Sequence, residues 1–498
     1  MGRHLKILAT LSFLIVSGFS VHAQFYNGSQ LNFGKNRVQY TDRFWSFMRF
    51  EKFDTYFYLN GKELAVYTAK YADKYLKEIE KKLEYTLEDK IQFIIYNKFS
   101  ELQESNIGLI QDVNYNIGGT THIVGTKVFL YYNGSHTDFE KQIRAGMAQV
   151  IIDEMMYGGK ITSMIKNSAL MSMPAWYSQG LVSYISENWS AEIDNYVKDG
   201  ILRGDYKRYN SLSGDDAIYA GHSIWKYVAD KYGPSAISNI VYLSKVSRNV
   251  ESGFLYVLGV SFKNLAKEWL AYYEQMYYDS DQGRQKTKET ALLKKFKKNY
   301  VYGNIKISPD AKYIAYTTNY MGQYRVWLFD LEKNKARKIF QRECRLDEKI
   351  DYSFPLLAWH PSGKMLAIII ETKGNNMMYS YMIDEKKFEK QQLFNLEKIL
   401  DLSFSQNGKM IVFSGVVQGQ TDIYVYNIAA HTYEPITKDI YDDLNPRFAN
   451  NSSEIIFSSN RPDDSVRYDV LTYLETERDT ITHLLPYTDI FIYDYKTK

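Results

Sequence analysis

Few residues in this chain have both the type and the spacing to do chemistry. His122, His136 and His222 stand far apart. None pairs with another at the i, i+3 or i, i+4 spacing that lets two imidazoles grip one metal ion from one helix face. Asp153 and Glu154 are adjacent on a stretch of helical periodicity, with Asp153 one turn beyond Gln149. Ser223, in "GHSIW", lacks the second glycine of a nucleophile elbow and falls inside a helix pattern. Cys344 is the only cysteine, so an internal disulfide is excluded, and it reads as a structural thiol at a strand end or loop. These patterns predict no catalytic residue, no metal ligand and no cofactor.

The elements that would position such residues fall into two regimes. From Phe44 to Tyr273 strands come first: "FDTYFYLNG", "KIQFIIYN" and, after a turn at Gly118-Gly119, "THIVGTKVFLYY". "KELAVYTAKYADKYLKEIEKKL" between the first two has helical spacing. Helical signals then dominate at 138–157, 173–187, 219–232 and 261–274, the last with Ser261 as its N-cap. Strands followed by helices predict an α+β domain. The stretch 284–298 is polar and basic and reads as a solvated linker.

Beyond it the chain repeats itself. "NIKISPDAKYIAYTTNYMGQYRVWLFDLEKNKARKI" is matched by the stretches beginning "PLLAWHPSGK", "DLSFSQNGK" and "NPRFANNSS". Each unit holds a short strand, a tight turn, a longer strand, a loop and a strand ending in Asp or Asn. A period of about 45 to 50 residues with four strands per unit predicts a β-propeller. Residues 299–498 hold about four such units, the fourth stopping at "YDYKTK" before its last strand.

Length and composition bound the rest. A chain of 498 residues can bury two or three cores. A net charge of +3 asks for no polyanionic partner, so nucleic acid is not expected. The 45 Tyr and 26 Phe suit strands and half-wet surfaces. At the N-terminus "MGRHLK", "ILATLSFLIVSGF" and "VHA" read as the basic, apolar and cleavage regions of a signal peptide over 1–23. The expectation is an exported, periplasmic protein after cleavage near Ala23, with no integral membrane span.

The repeats resemble the TolB-type propeller, through Asp310, Gly363 and Gly408 at the turns and Val326-Trp327, Ile423-Tyr424 and Ile490-Phe491 on the strands that follow. The region 24–283 resembles the gluzincin-type, peptidase MA-like domains of bacterial exported proteins. Four stretches carry that likeness: "KIQFIIYNKFSELQESN", "DFEKQIRAGMAQVIIDEMMYGG", "MPAWYSQGLVSYIS" and "YAGHSIWKYVADKYG". Active members hold zinc on H-E-x-x-H, and a later W-x-x-E-G-x-x-x-Y supplies the third ligand. Set against that pattern, Ala145 and Gln149 stand at the histidine positions, Gly146 at the general base and Gln179 at the third ligand. Alanine and glycine carry no ligand atom, and an amide is a weak substitute on zinc. Pro174, Trp176, Gly180 and Tyr184 of the framing pattern remain.

The resemblance therefore implies an inactive relative of a zinc metallopeptidase joined to a propeller, not an enzyme. It would be a binding or scaffolding component of the cell envelope with protein or peptide partners, the edge of "THIVGTKVFLYY" being the place for strand addition. The readings left open are a divergent peptidase or a fragment of a propeller-bearing hydrolase, and a glycan-binding propeller.

Overall fold

The structure is a computed structural model. It describes residues 37–40, 42–107, 122–124, 126–158, 173–284, 293, 296–297, 299–345, 350–462 and 488–497. The signal segment 1–23 and the Gly118-Gly119 turn lie outside the described residues.

The first domain is built on a five-stranded sheet in the order β1-β2-β3-β5-β4, with strands Ser46–Arg49, Phe53–Phe57, Ile91–Tyr96, His122–Val124 (β4) and Lys127–Tyr131 (β5). The inner strands β2, β3 and β5 are parallel, and both edges run antiparallel to them. The crossover from β2 to β3 is helix α1, Lys62–Leu83, whose Leu64, Tyr71, Ala72, Leu76, Ile79 and Leu83 form one buried stripe. It stops at Glu84, which takes a left-handed conformation (φ 51°) while its N–H bonds back to the last turn. Strand β3 is buried on both faces, as parallel strands are. Ile91, Phe93 and Ile95 point into the main core with the helices, while Ile94 and Tyr96 join Tyr58, Phe99 and Tyr131 beneath the sheet.

One expectation needs correcting here. "THIVGTKVFLYY" is two strands of a tight hairpin, not one. Only His122–Val124 forms an edge, and Lys127–Tyr131 is paired on both sides.

A short helix α2 (Phe99–Gln103) follows β3, and helix α3 (His136–Tyr157) follows β5 and lies against it. Then come α4 (Ala175–Ser186), α5 (Ala191–Arg203), a 3-10 segment (Asp205–Ser211), α6 (Gly214–Tyr232), α7 (Ser235–Ser247), α8 (Val250–Leu258) and α9 (Phe262–Asp281). Helices α5, α7 and α8 are additions to the elements expected from periodicity. In α8, "VESGFLYVL", only Gly253 and Phe254 are buried, so no apolar stripe marks the helix; Asn249 caps it by accepting from Ser252 N–H.

The repeats form four antiparallel sheets, each with its strands in chain order. The first holds β6 (Val301–Ile307), β7 (Tyr313–Tyr320), β8 (Gln323–Asp330) and β9 (Lys335–Arg342). The second holds β10 (Leu356–Trp359), β11 (Met365–Thr372), β12 (Asn375–Met382) and β13 (Lys387–Leu393). The third holds β14 (Lys398–Phe404), β15 (Met410–Val417), β16 (Gln420–Asn427) and β17 (Thr432–Pro435). The fourth, among the described residues, holds β18 (Asp443–Ala449), β19 (Glu454–Ser459) and β20 (Asp489–Asp494). The first strands of successive sheets contact one another, β6 on β10, β10 on β14 and β14 on β18, which makes the sheets propeller blades. Apolar residues at alternate positions fill each junction, as where Val326 and Leu328 of blade 1 meet Leu357 and Ile368 of blade 2.

The repeated turn owes its shape to one polar side chain. Asp310 Oδ1 accepts from Lys312 N–H at 3.2 Å and from Ser308 Oγ at 2.7 Å; Asn407 does the same for Lys409 N–H and Ser405 Oγ.

Candidate functional site

Helix α3 begins at Ser135, whose Oγ accepts from Asp138 N–H, and its middle is buried on nearly every side. Ala145 is 1% exposed. Gly146 lies so close to β5 that a Cβ placed on it would stand 2.4 Å from Val128 Cγ1. Gln149 is buried and donates from Nε2 to Asp153 Oδ1 at 2.8 Å. Burial pushes the Asp153 carboxyl up to about 7, and the Gln149 amide partly offsets this. Glu154 closes the loop between α1 and β3, accepting from Tyr85 OH (2.9 Å) and from the backbone N–H of Glu88 (2.9 Å) and Asp89 (3.3 Å).

Gln179, half-buried on α4, belongs to a helix that packs against α3. The framing residues around it hold helices together. Pro174 starts α4. Trp176 stacks on Phe262 at 4.5 Å and donates from Nε1 to Asn210 Oδ1 at 3.0 Å. Gly180 meets Gly221 of α6 backbone to backbone; a Cβ on Gly180 would sit 2.2 Å from Gly221 Cα, and one on Gly221 2.0 Å from the Trp176 carbonyl oxygen. Tyr184 lies edge-on to His222. His222 is buried against Ser183 Oγ at 2.8 Å, and burial lowers its pKa to about 3, so it is neutral. Ser223 is likewise occupied, giving its proton to the Ala220 carbonyl and accepting from Trp269 Nε1. Cys344 is exposed and free. The side chain of His122 lies outside the described residues.

Nothing in the sequence marks His136 as an inter-domain contact. Its Nδ1 lies 2.7 Å from Oδ1 of Asp442 in the propeller, and its backbone N–H donates to Asp442 Oδ2 at 2.7 Å. Tyr132 OH donates to the same carboxylate at 3.0 Å and lies 2.9 Å from Thr421 Oγ1, which donates to the Gly134 carbonyl at 2.9 Å. Asn460 holds Asp442 from behind. A propeller carboxylate thus sits at the N-terminus of α3, where the helix dipole favours negative charge. The partners are 306 positions apart, so no local pattern could have joined them.

The seam continues at Lys98. Its ammonium reaches Glu371 Oε1 at 2.7 Å and the carbonyls of Gly374 and Glu397, with 7% and 9% of the two charged side chains exposed. Cavities of about 470 Å³ and about 400 Å³ flank this pair between the domains. Tyr58, Glu101 and Glu397 line the larger one; burial raises Glu397 to about 7.

A second cluster, equally silent in the sequence, lies inside the propeller. Carboxylate oxygens of Asp422, Asp439 and Asp443 come within 4.8 Å of one another, the one such group among the described residues. Arg461 occupies its centre, 2.8 Å from both Asp443 oxygens and 3.2 Å from Asp439 Oδ2. Burial and then the neighbouring Asp443 and Asp439 hold Asp422 well above the usual carboxylate range, and burial raises Asp443 to about 6 against the pull of Arg461. A protonated Asp422 relieves the excess charge over a single guanidinium. The arrangement ties blade 3 to blade 4.

No protein-family description matches this chain, and no curated protein does. Solved structures that are similar include TolB from Acinetobacter baumannii, at 18% identity over 40% of this chain and 42% of that one, with a TM-score of 0.30. A putative dipeptidyl aminopeptidase IV from Bacteroides ovatus ATCC 8483 follows at 13% identity, 35% and 34% coverage and 0.28. A putative TolB from Agrobacterium tumefaciens matches at 18% identity, 34% and 71% coverage and 0.22. The match spans less than half of either of the first two proteins. The blades are assigned from the four sheets themselves.

Proposed function

We propose that this is a non-catalytic, exported protein in which a degenerate gluzincin-like domain and a TolB-like propeller act together as a protein- or peptide-binding scaffold of the cell envelope. The observation that carries the reading is Gly146 packed on Val128 between Ala145 and Gln149. Where the resemblance would need a water-activating glutamate, the backbone of α3 is too close to β5 for any side chain. Asp153 and Glu154, the acids one turn on, are taken up by Gln149 and by the loop after α1. The buried seam at Asp442 and Lys98 supports the two domains working as one body. Among the described residues no helix is long and apolar enough to cross a membrane.

Metal content and peptidase turnover of the purified chain test the proposal. It requires sub-stoichiometric zinc and no chelator-sensitive cleavage. Stoichiometric, tightly held zinc would sink it. Crosslinking in envelope extracts tests the binding half, and reproducible capture of the same protein partner is the expected outcome. Robust binding to a sugar array without such a partner would favour the glycan reading.

A further inference from the structure

Each internal blade junction buries an apolar face of one sheet against the next. Blade 4 offers Ile455, Phe457, Phe491 and Tyr493 toward blade 3, and blade 1 offers Ala315, Val326 and Leu328 toward blade 2. Because strand side chains alternate, the residues between these point the opposite way. On blade 4 they are Ile456, Ile490 and Ile492, and the register pairs Ile456 with Ile492 on one face. On blade 1 they are Ile307, Ile314 and Phe329 in one row, with Tyr316 and Trp327 in the next. Both outward faces are therefore apolar.

Among the described residues they are also uncovered. Ile490 and Ile492 are 77% and 64% exposed, and Ile305 and Ile307 are 66% and 62% exposed. Leu293 of the linker lies against one margin of the blade 1 face, with Tyr302, and leaves these isoleucines open. The four-blade arc is thus not closed on itself. The first domain is seated elsewhere, over Leu400, Thr421 and Asp442 of blades 3 and 4, and blocks neither end.

The two faces also differ in charge. Pairing places Glu454 and Asp494 on the blade 4 face, at the end of its isoleucine row. It places Arg325, opposite Thr318, and Lys338, opposite Trp327, on the blade 1 face. In a propeller one side of every blade meets the other side of its neighbour. The outward side of blade 4 is therefore of the kind that receives the outward side of blade 1.

We infer that a second copy of this chain covers both faces, the blade 4 end of each copy mating with the blade 1 end of the other through the exposed isoleucines, Trp327 and the acidic and basic pairs. The contact is heterologous. Two copies joined at both ends would make an eight-bladed ring, a number at which propellers close. This goes beyond the scaffold reading and does not depend on it.

Light scattering of the full chain during size-exclusion chromatography, from micromolar to millimolar concentration, tests the inference. The expected species has twice the chain mass, and association weakens as salt rises. Ile307→Lys and Ile492→Lys each change an exposed residue, so unchanged melting curves will report an intact fold. Each alone should raise the concentration needed for dimer at least tenfold. Mixing the two variants should restore association, because one unaltered blade 4 end then meets one unaltered blade 1 end. A wild-type monomer at every concentration overturns the inference. So does a dimer indifferent to both substitutions, or a mixture that stays monomeric.

Discussion

At Gly146 a single hydrogen in place of a side chain decides how closely α3 lies on β5. Gly146→Ala puts a methyl group 2.4 Å from Val128 Cγ1 and should destabilise the fold by about 1–3 kcal/mol. Val128→Ala in the same chain should recover part of that loss, which a double-mutant cycle in urea would measure; additive losses would contradict the close contact. Asp153 sets a pH dependence. Its folded pKa of about 7 lies above the ordinary 3.8, so between those values the unfolded chain releases a proton that the fold retains. Stability should therefore fall as pH rises from about 4 to about 7, by up to about 1.4 kcal/mol per pH unit for this group. Asp153→Asn keeps an acceptor for Gln149 and should flatten that slope in pH-dependent denaturation. A slope unchanged by the substitution would remove Asp153 as its source. The sequence placed Asp153 one turn past Gln149; that it is buried and proton-retaining depends on helices brought over it from elsewhere in the chain.

At the scale of elements, α3 is a helix whose start is completed by another domain. Ser135 serves Asp138 N–H, and Asp442 serves His136 N–H, the next residue in. Asp442→Ala should cost about 1 kcal/mol for the lost acceptor, and about 1–3 kcal/mol more for the buried donors on Tyr132 and His136 left without it. Hydrogen exchange should rise at the first turn of α3 and around Thr421 together, while Asp442→Asn keeps most of the protection. Exchange rising on only one side would mean the carboxylate does not join the domains. Helices α3, α4, α6 and α9 are legible from apolar spacing, each within a few residues except for the longer end of α9, because each buries one stripe or more. Helix α8 is not, since its exposed Leu255 and Tyr256 give no periodic signal. The hairpin of β4 and β5 reads as one strand in the sequence because alternation continues through its turn.

For the whole molecule, no step of the proposed function uses bound zinc. Chelation should leave the melting midpoint within about 1 °C of the untreated protein; a drop of several degrees would show that a metal contributes folding energy. The sequence alone determined that the chain changes from strand-then-helix to a repeat of short strands near residue 299. It also set the turns at Asp310 and Asn407, and put residues without metal chemistry at Ala145, Gly146, Gln149 and Gln179. These are matters of residue type and local period, written within one or two turns of chain. Only the tertiary structure decided that Gly146 abuts Val128, that Gly180 crosses Gly221, that Arg461 sits among three aspartates, and that Asp442 caps a helix 306 positions away. It also decided that Ile307 and Ile492 stay uncovered. Contacts of that range depend on how separately encoded elements stack, and no stretch of sequence carries both partners.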